Sequence, residues 1–342
     1  MNLLPSEDQL ELVAAATDFI TSRMPIEKIR TRSAEDSAVD PIAWREGAEL
    51  GLLTLGLDER SGGSGRPLDD EVLLFAALGK YLATGPFLAS TLAARVAARC
   101  GDTELTEKIG NGTAMVGLAE LRGNGSIGLD GIKGSFDLID CVGASHALLV
   151  AKHGAALVEL SEFSDITDIE SVDPGVRLSA STITSGLVVH WLPAETESIW
   201  NRAMVLAAAG LAGLADAAKD LATEHAKTRI QFGRPIGVHQ AIKHACADMA
   251  VSSDAAISQT LFAAVCLQSA RDDTLFQILA AKSVAARAAV NNAASGIQVH
   301  GGMGYTYEHN AHLYLKRALV FTHLFGEPTD VLAELLDQGA AQ

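Results

Sequence analysis

The chain has 342 residues, 48% of them hydrophobic, 20% charged and only 5% aromatic, with a formal net charge of −16. That length supports two or three cores, and an apolar fraction dominated by alanine favours packed helices over a strand sandwich. The acidic balance excludes a non-specific nucleic-acid surface, because phosphates would meet a repelling field.

Cys100, Cys141, Cys246 and Cys266 form no CxxC pair and lie in mostly apolar stretches, so they read as reduced core residues. "MNLLPSEDQLEL" has acidic residues where a secretory signal would be basic and then apolar. No run of eighteen apolar residues is present; the nearest, from Ala203, is broken by Asp216 and Lys219. A soluble, cytoplasmic protein with no membrane and no nucleic-acid partner is expected.

Residues 1–112 read as an N-terminal helical domain. "SEDQLELVAAATDFITSRM" has apolar residues at helical spacing behind Ser6, a candidate cap. "DPIAWREGAELGLLTLGL" then leads into the Gly-rich loop "DERSGGSGRPLDD". Asp69 or Asp70 can cap the next helix, "EVLLFAALGKYLATG", which should stop at Gly85-Pro86. "STLAARVAARCG" and "DTELTEKIGNG" complete this third. Over 113–194 the texture changes to short β-branched runs separated by Gly, Asn and Asp, the pattern of a small middle β domain. Helical periodicity returns over 195–342, where four long segments predict a C-terminal helical bundle. The fold class expected is α+β, in the order helical domain, β domain, four-helix bundle.

Two stretches carry candidate chemistry. In "RIQFGRPIGVHQ", Arg229 offers a planar fork suited to a phosphate, Gly233 permits close backbone approach, and Gln240 can read an adenine or ribose edge. A solvated interhelical loop would account for that set equally well. In "SGIQVHGGMGYTYEHN", three glycines follow Gln298 at +3, +4 and +6. They come after a helix and not after a strand, so a Rossmann reading fails, but their exposed N–H groups could face a phosphate. Taken alone, this stretch is also compatible with a plain Gly-rich helix connection. His239, His244, His300, His309, His312 and His323 show no HExxH or HxH spacing with a nearby carboxylate. Lys316-Arg317 lies between apolar residues and reads as a helix face, and Gly210 and Gly213 read as tight packing.

The order "RxxFGxxIxxxQ", some sixty residues of helix, then "QxxGGxGY" resembles the acyl-CoA dehydrogenase family, and "WREGAELGLLTLGLDERSGGSG" resembles that family's N-terminal helix and loop. The resemblance covers essentially the whole chain. It implies an acyl-CoA dehydrogenase-like fold with a small middle β-barrel, FAD as cofactor and an acyl-CoA thioester as substrate. It also implies an electron-transfer flavoprotein as electron acceptor. In the family chemistry a carboxylate takes the α proton while the β hydrogen leaves as hydride to the flavin. The resemblance assigns Arg229, Phe232 and Gln240 to the ADP half of FAD across a subunit interface. It likewise assigns Gln298, Gly301 and Gly302 to a second clamp on that half.

Departures from the family pattern agree with one another. The usual Glu-Gly of the catalytic base falls on Phe325-Gly326, and the alternative base position, just before an arginine, is Asn201. Glu327 is a weak candidate through a shifted loop. In the β domain, "AELRGNGSI" and "FDLIDCVG" stand where the flavin-ring contacts are expected, with Glu120 and Ser126 as faint echoes and Leu138-Ile139-Asp140 replacing a tryptophan strand. An aspartate beside an anionic reduced flavin would be unhelpful. The expectation is the base-less subunit of a heterotetramer with a homologous subunit that carries the catalytic glutamate. Such pairs are associated with bulky, steroid-derived CoA thioesters. The alternatives are a self-sufficient homo-oligomeric dehydrogenase using Glu327 and a flavin-free scaffold of the same fold.

Overall fold

The computed structural model describes residues 3–31, 37 and 39–339. In chain order it has α1 (Glu7–Arg23), α2 (Lys28–Thr31), α3 (Pro41–Glu49), α4 (Leu68–Lys80), α5 (Phe87–Arg99) and α6 (Thr103–Gly110). Seven strands follow: β1 (Val116–Gly128), β2 (Gly131–Ile139), β3 (His146–Ala151), β4 (Gly154–Glu159), β5 (Thr167–Ile169), β6 (Leu178–Gly186) and β7 (His190–Pro193). Then come α7 (Ile199–Thr228), the short strands β8 (Ile230–Gln231) and β9 (Arg234–Pro235), α8 (Gln240–Gln268), α9 (Thr274–His300), α10 (Ala311–Thr322) and α11 (Pro328–Asp337). The fold is α+β, and the texture changes expected near 113 and 195 fall between α6 and β1 and between β7 and α7.

Contacts group the chain into two compact units: Met1–Ile20, Val72–Ala83 and Met204–Gln342 form one, and Thr21–Glu71 with Thr84–Ala203 the other. The helical unit thus recruits α1 and most of α4 from the first third of the sequence. α1 begins with a reciprocal cap: the Gln9 N–H donates to Ser6 Oγ (3.3 Å) and the Ser6 N–H to Gln9 Oε1 (2.9 Å). Asp69 and Asp70 do not cap α4 but lie inside its first turn, because the helix already starts at Leu68. α4 and α7 pack backbone to backbone: a Cβ at Gly79 would meet the Gly210 carbonyl, and one at Gly213 the Ala76 carbonyl. Lys80 seals this contact by donating to Asp216 (2.5 Å) and Asp220 (2.7 Å). Arg317 is buried, with Nη1 donating to the Ala83 carbonyl (2.9 Å), so it is no exposed helix face; it closes the segment after α4. α8 is the one described helix long and apolar enough to cross a membrane.

The second unit holds the sheet, in the order β5-β6-β2-β1-β3-β4-β7. β1 pairs antiparallel with β2 and parallel with β3, so the ladder runs from β5 at one end to β7 at the other. Phe136, Leu138, Leu149, Ala156 and Val158 fill its core. Ser90 of α5 ties helix to sheet, donating to the Val116 carbonyl (3.0 Å) and accepting from its N–H (3.1 Å). Cys141 and Cys266 are buried as expected, whereas Cys100 and Cys246 are only half-buried.

Asp102 caps α6, accepting from the Leu105 N–H (2.9 Å), and also meets His190 Nε2 (2.7 Å). The backbone bond first, then His190, holds its carboxyl below the ordinary aspartate range. A group with a lowered folded-state pKa stabilises above its unfolded value and loses that contribution as pH falls through the folded one. Asp102→Ala is therefore expected to cost about 1 kcal/mol near neutral pH. The gap to wild type should close in melts taken at progressively lower pH in the acid range; an unchanged gap would rule the cap out as its source.

Candidate functional site

α7 ends at Thr228, and Arg229 is the first residue beyond it, exposed to solvent. Its N–H donates to the His225 carbonyl and its own carbonyl accepts from the Ile236 N–H, both at 2.9 Å, so the excursion between them closes on itself. That excursion is the β8–β9 hairpin. Phe232 (φ 51°) and Gly233 (φ 79°) form its turn, both in the left-handed region that a two-residue hairpin turn demands. Phe232 combines a costly backbone conformation for an aromatic residue with 94% exposure. Gln240 opens α8 and is also exposed.

Buried amides fix the antiparallel register of α8 and α9. Asn292 Nδ2 donates to the Met249 carbonyl (2.9 Å), Ser252 Oγ donates to Asn292 Oδ1 (2.8 Å), and Gln259 Nε2 donates to Gln277 Oε1 (2.8 Å). That register sets Gln240 level with the last turn of α9, where Gln298 is exposed, and with the glycines after it. Gly301 has φ 61° and ψ −140°, a region essentially reserved for glycine, and no atom lies within 4 Å of a Cβ built on Gly301 or Gly302. The ring of His225 lies 4.3 Å from that of His300, so the end of α7 is here too. Arg229, Phe232, Gln240, Gln298, Gly301 and Gly302 thus share one end of the helical unit. Together they present a guanidinium, two carboxamides and an open Gly turn, donors suited to a phosphate-bearing ligand.

The expected base positions lie elsewhere. Phe325 is buried at φ 62°, followed by Gly326 at φ 139°. Lys282, buried in mid-α9, holds this loop by donating to the carbonyls of Thr322 (3.0 Å) and Leu324 (2.8 Å). Eighteen residues of α9 separate Lys282 from His300, roughly 27 Å at 1.5 Å per residue. Glu327 is exposed, pairs with His323 Nδ1 (2.6 Å) and occupies the N-cap position just before α11. It therefore lacks the apolar enclosure that would tune a carboxylate for proton abstraction. Asn201, in the second unit, is half-buried in the first turn of α7, its N–H bonded to Ser198 Oγ (3.2 Å).

In the sheet, Leu138 and Ile139 are buried, and Asp140 (φ 52°) turns its carboxylate into the backbone, accepting from the Arg177 N–H (2.8 Å). Asp140 is therefore a strand-end lock, which accounts for an acid at a place where a ring contact was expected. Glu120 and Ser126 share β1, but Glu120 is half-buried beside Arg122 (3.8 Å) and Ser126 is exposed.

Several charge pairs escaped the sequence reading, and of their members Glu71 and Arg202 are buried. Glu71 pairs with Arg202, the residue after Asn201, while Arg95 and Arg99 share Glu197 and Arg95 Nη1 donates to the Gly56 carbonyl (2.9 Å). Their signal was a lone charge within an apolar helical run, as in "SIWNRAMVLAAAG" and "ILAAKSVAARAA".

Residues 196–339 match the acyl-CoA dehydrogenase C-terminal domain family, and residues 6–115 match the corresponding N-terminal domain family. Acyl-CoA dehydrogenase IpdE2 of Mycobacterium tuberculosis is 31% identical over 341 residues, covering 97% of this chain and 98% of the relative. Among solved structures, the ChsE4-ChsE5 complex from Mycobacterium tuberculosis aligns with a TM-score of 0.84 at 22% identity, over 100% of both chains. The FAD complex of PigA aligns with a TM-score of 0.82 at 19% identity, over 99% of this chain and 98% of that one. At such identities the structural likenesses establish the fold.

Proposed function

Because the chain belongs to the acyl-CoA dehydrogenase family, we propose that it is the base-less subunit of a heteromeric acyl-CoA dehydrogenase, paired two-and-two with a homologous subunit that carries the catalytic glutamate. The observation that carries this reading is the contrast between two places on α9. At one end Arg229, Phe232, Gln240, Gln298, Gly301 and Gly302 stand gathered, all exposed but the half-buried Gly301; near Lys282 a buried phenylalanine stands where the resemblance expects the base.

The fit to FAD rests on the donor set and on the Gly turn, where no side chain stands between the backbone and a ligand. Arg229 would hold a phosphate with its fork, the carboxamides of Gln240 and Gln298 would bond the ribose and adenine edges, and Gly301 and Gly302 would let the backbone approach the pyrophosphate. When bound, FAD supplies the acceptor for the β hydrogen of an acyl-CoA. Proton abstraction needs a carboxylate in an apolar pocket; here the two expected places hold a phenyl ring and an amide, and Glu327 is solvated. The base and the acyl pocket are accordingly assigned to the partner, with an electron-transfer flavoprotein as the electron acceptor. A bulky, steroid-derived acyl group is the substrate class the resemblance implies. The outward face of α8 and α9 suits a subunit partner: Val251 and Val284 are exposed, and Ala245, Ala255, Arg287 and Asn291 help line a groove of about 680 Å³.

Co-expression with and without a base-bearing family member tests the proposal through native mass and flavin content. One flavin per two chains in the mixed complex and none in the solitary chain is expected; full flavin occupancy and turnover by the solitary chain would refute it. A second outcome separates it from a self-sufficient enzyme: Glu327→Gln should leave substrate bleaching of the complex's flavin within about twofold of wild type, whereas loss of a true general base costs on the order of 10²-fold or more.

A further inference from the structure

Three imidazoles stack at the proposed nucleotide clamp, and no part of the dehydrogenase reading uses them. His225, on the last turn of α7, lies 4.3 Å from His300 with ring planes 30° apart. His300, the last residue of α9, also lies 4.4 Å from His309, with ring planes tilted by 49°. His300 is buried, and its Nδ1 donates to the Gly296 carbonyl (2.6 Å). His309 Nδ1 accepts from the Ala311 N–H (3.1 Å). The rings join the two arms of the clamp, since the Arg229 N–H bonds the His225 carbonyl (2.9 Å) and Gly301 directly follows His300.

From this geometry we infer that the His225–His300–His309 stack pins the Arg229 arm to the Gly301 turn while its rings are neutral, so that the grip on an ADP-type pyrophosphate loosens on acidification. The inference rests on the proposed function and adds a regulation of that same site. His300 Nδ1 is committed to the Gly296 carbonyl, and positive charges brought together within a buried stack of rings would repel one another. Burial first, then His300 and Arg229, holds His225 below the ordinary histidine range, and no carboxylate is among the groups acting on it. Among the groups at the stack are His225 from α7, Arg229 just beyond it, His300 from α9 and His309 from the loop that follows. Glu308, next in the chain to His309, is exposed to solvent. A competing effect has the opposite sign: an imidazolium near a pyrophosphate would attract it. The direction of the pH dependence decides between the two.

The test uses the full-length chain with its co-purifying subunit, stripped of flavin, and ADP as the probe, titrated calorimetrically between roughly pH 8 and pH 5 to bracket the ordinary histidine pKa. Affinity is expected to fall with acid, by up to about tenfold per pH unit for each proton that binding expels. His225→Phe keeps a stacking ring without a titrating one and should flatten the slope while binding ADP near neutral pH. Affinity that rises with acid, or a wild-type slope in His225→Phe, overturns the inference and leaves the proposed function standing. No ADP binding at any pH removes the proposed function and this inference together. Histidine ring NMR without nucleotide supplies a ligand-independent reading. Coupled titration, with faster amide exchange over Gly301–Tyr305 in acid, is expected; three independent titrations near about 6.5 would overturn the stack's role.

Discussion

Replacing Arg229 by alanine is expected to leave the mixed complex assembled but largely colourless. Arg229 is exposed and lies beyond the end of α7, so its side chain contributes little to folding; its proposed work is to bond a phosphate. A charge-assisted hydrogen bond is worth about 1.5–3 kcal/mol, which converts to roughly 10- to 150-fold in FAD affinity. Flavin absorbance per complex after gel filtration, followed by titration of FAD back into the stripped protein, measures the loss. Arg229→Lys should recover only part of it, because an ammonium keeps the charge but not the planar fork. Assembly with unchanged flavin content would move the pyrophosphate away from this loop. A wild-type complex that never holds flavin would favour the flavin-free scaffold.

The residues of the proposed clamp could be named from the sequence because their chemistry is local: "RIQFG" and "QVHGG" combine a donor with glycine in short runs, and the structure gathers the two runs at one end of the helical unit. Their proximity was not legible. It depends on the α8–α9 register set by Asn292, Ser252 and Gln259, three polar residues that look unremarkable in alanine-rich helices. The helical and β textures were readable from periodicity, whereas the assignment of α1 and most of α4 to the C-terminal helices was not, since periodicity gives a face and not its partner. Lys316-Arg317 was read as a helix face; the main-chain carbonyl of Ala83, which no sequence pattern marks, holds Arg317 in the interior. Phe325 was read as a missing base. Its left-handed backbone and the Lys282 bonds to the carbonyls of Thr322 and Leu324 describe a loop held in one conformation. Asp140 was judged by the ring it would face, and its bond to the Arg177 N–H gives it a different task.

The second large effect is expected at the buried Glu71–Arg202 pair, which fixes the α7 turn that carries Asn201. Burial pushes the Glu71 carboxyl up against the pull of Arg202 and Arg95, and burial likewise pushes Arg202 down against the pull of Glu71. Both shifts disfavour the charged form, so the attraction does not recover the whole cost of desolvation. Such a pair adds little net stability yet is expensive to break. Arg202 Nε also has no hydrogen-bond partner. Glu71→Leu strands a guanidinium that cannot lose its proton and should cost about 3–5 kcal/mol in urea unfolding. Arg202→Met strands a carboxyl that can be protonated, so its cost should be smaller and should shrink as pH falls from about 8 towards 5, where a raised Glu pKa takes up the proton. The double variant, with apolar groups of similar volume, should return to wild-type stability or exceed it by about 1–4 kcal/mol. If both single variants lose the same amount at every pH and the double variant loses their sum, the two charges do not act as a pair, and the start of α7 is held by packing alone.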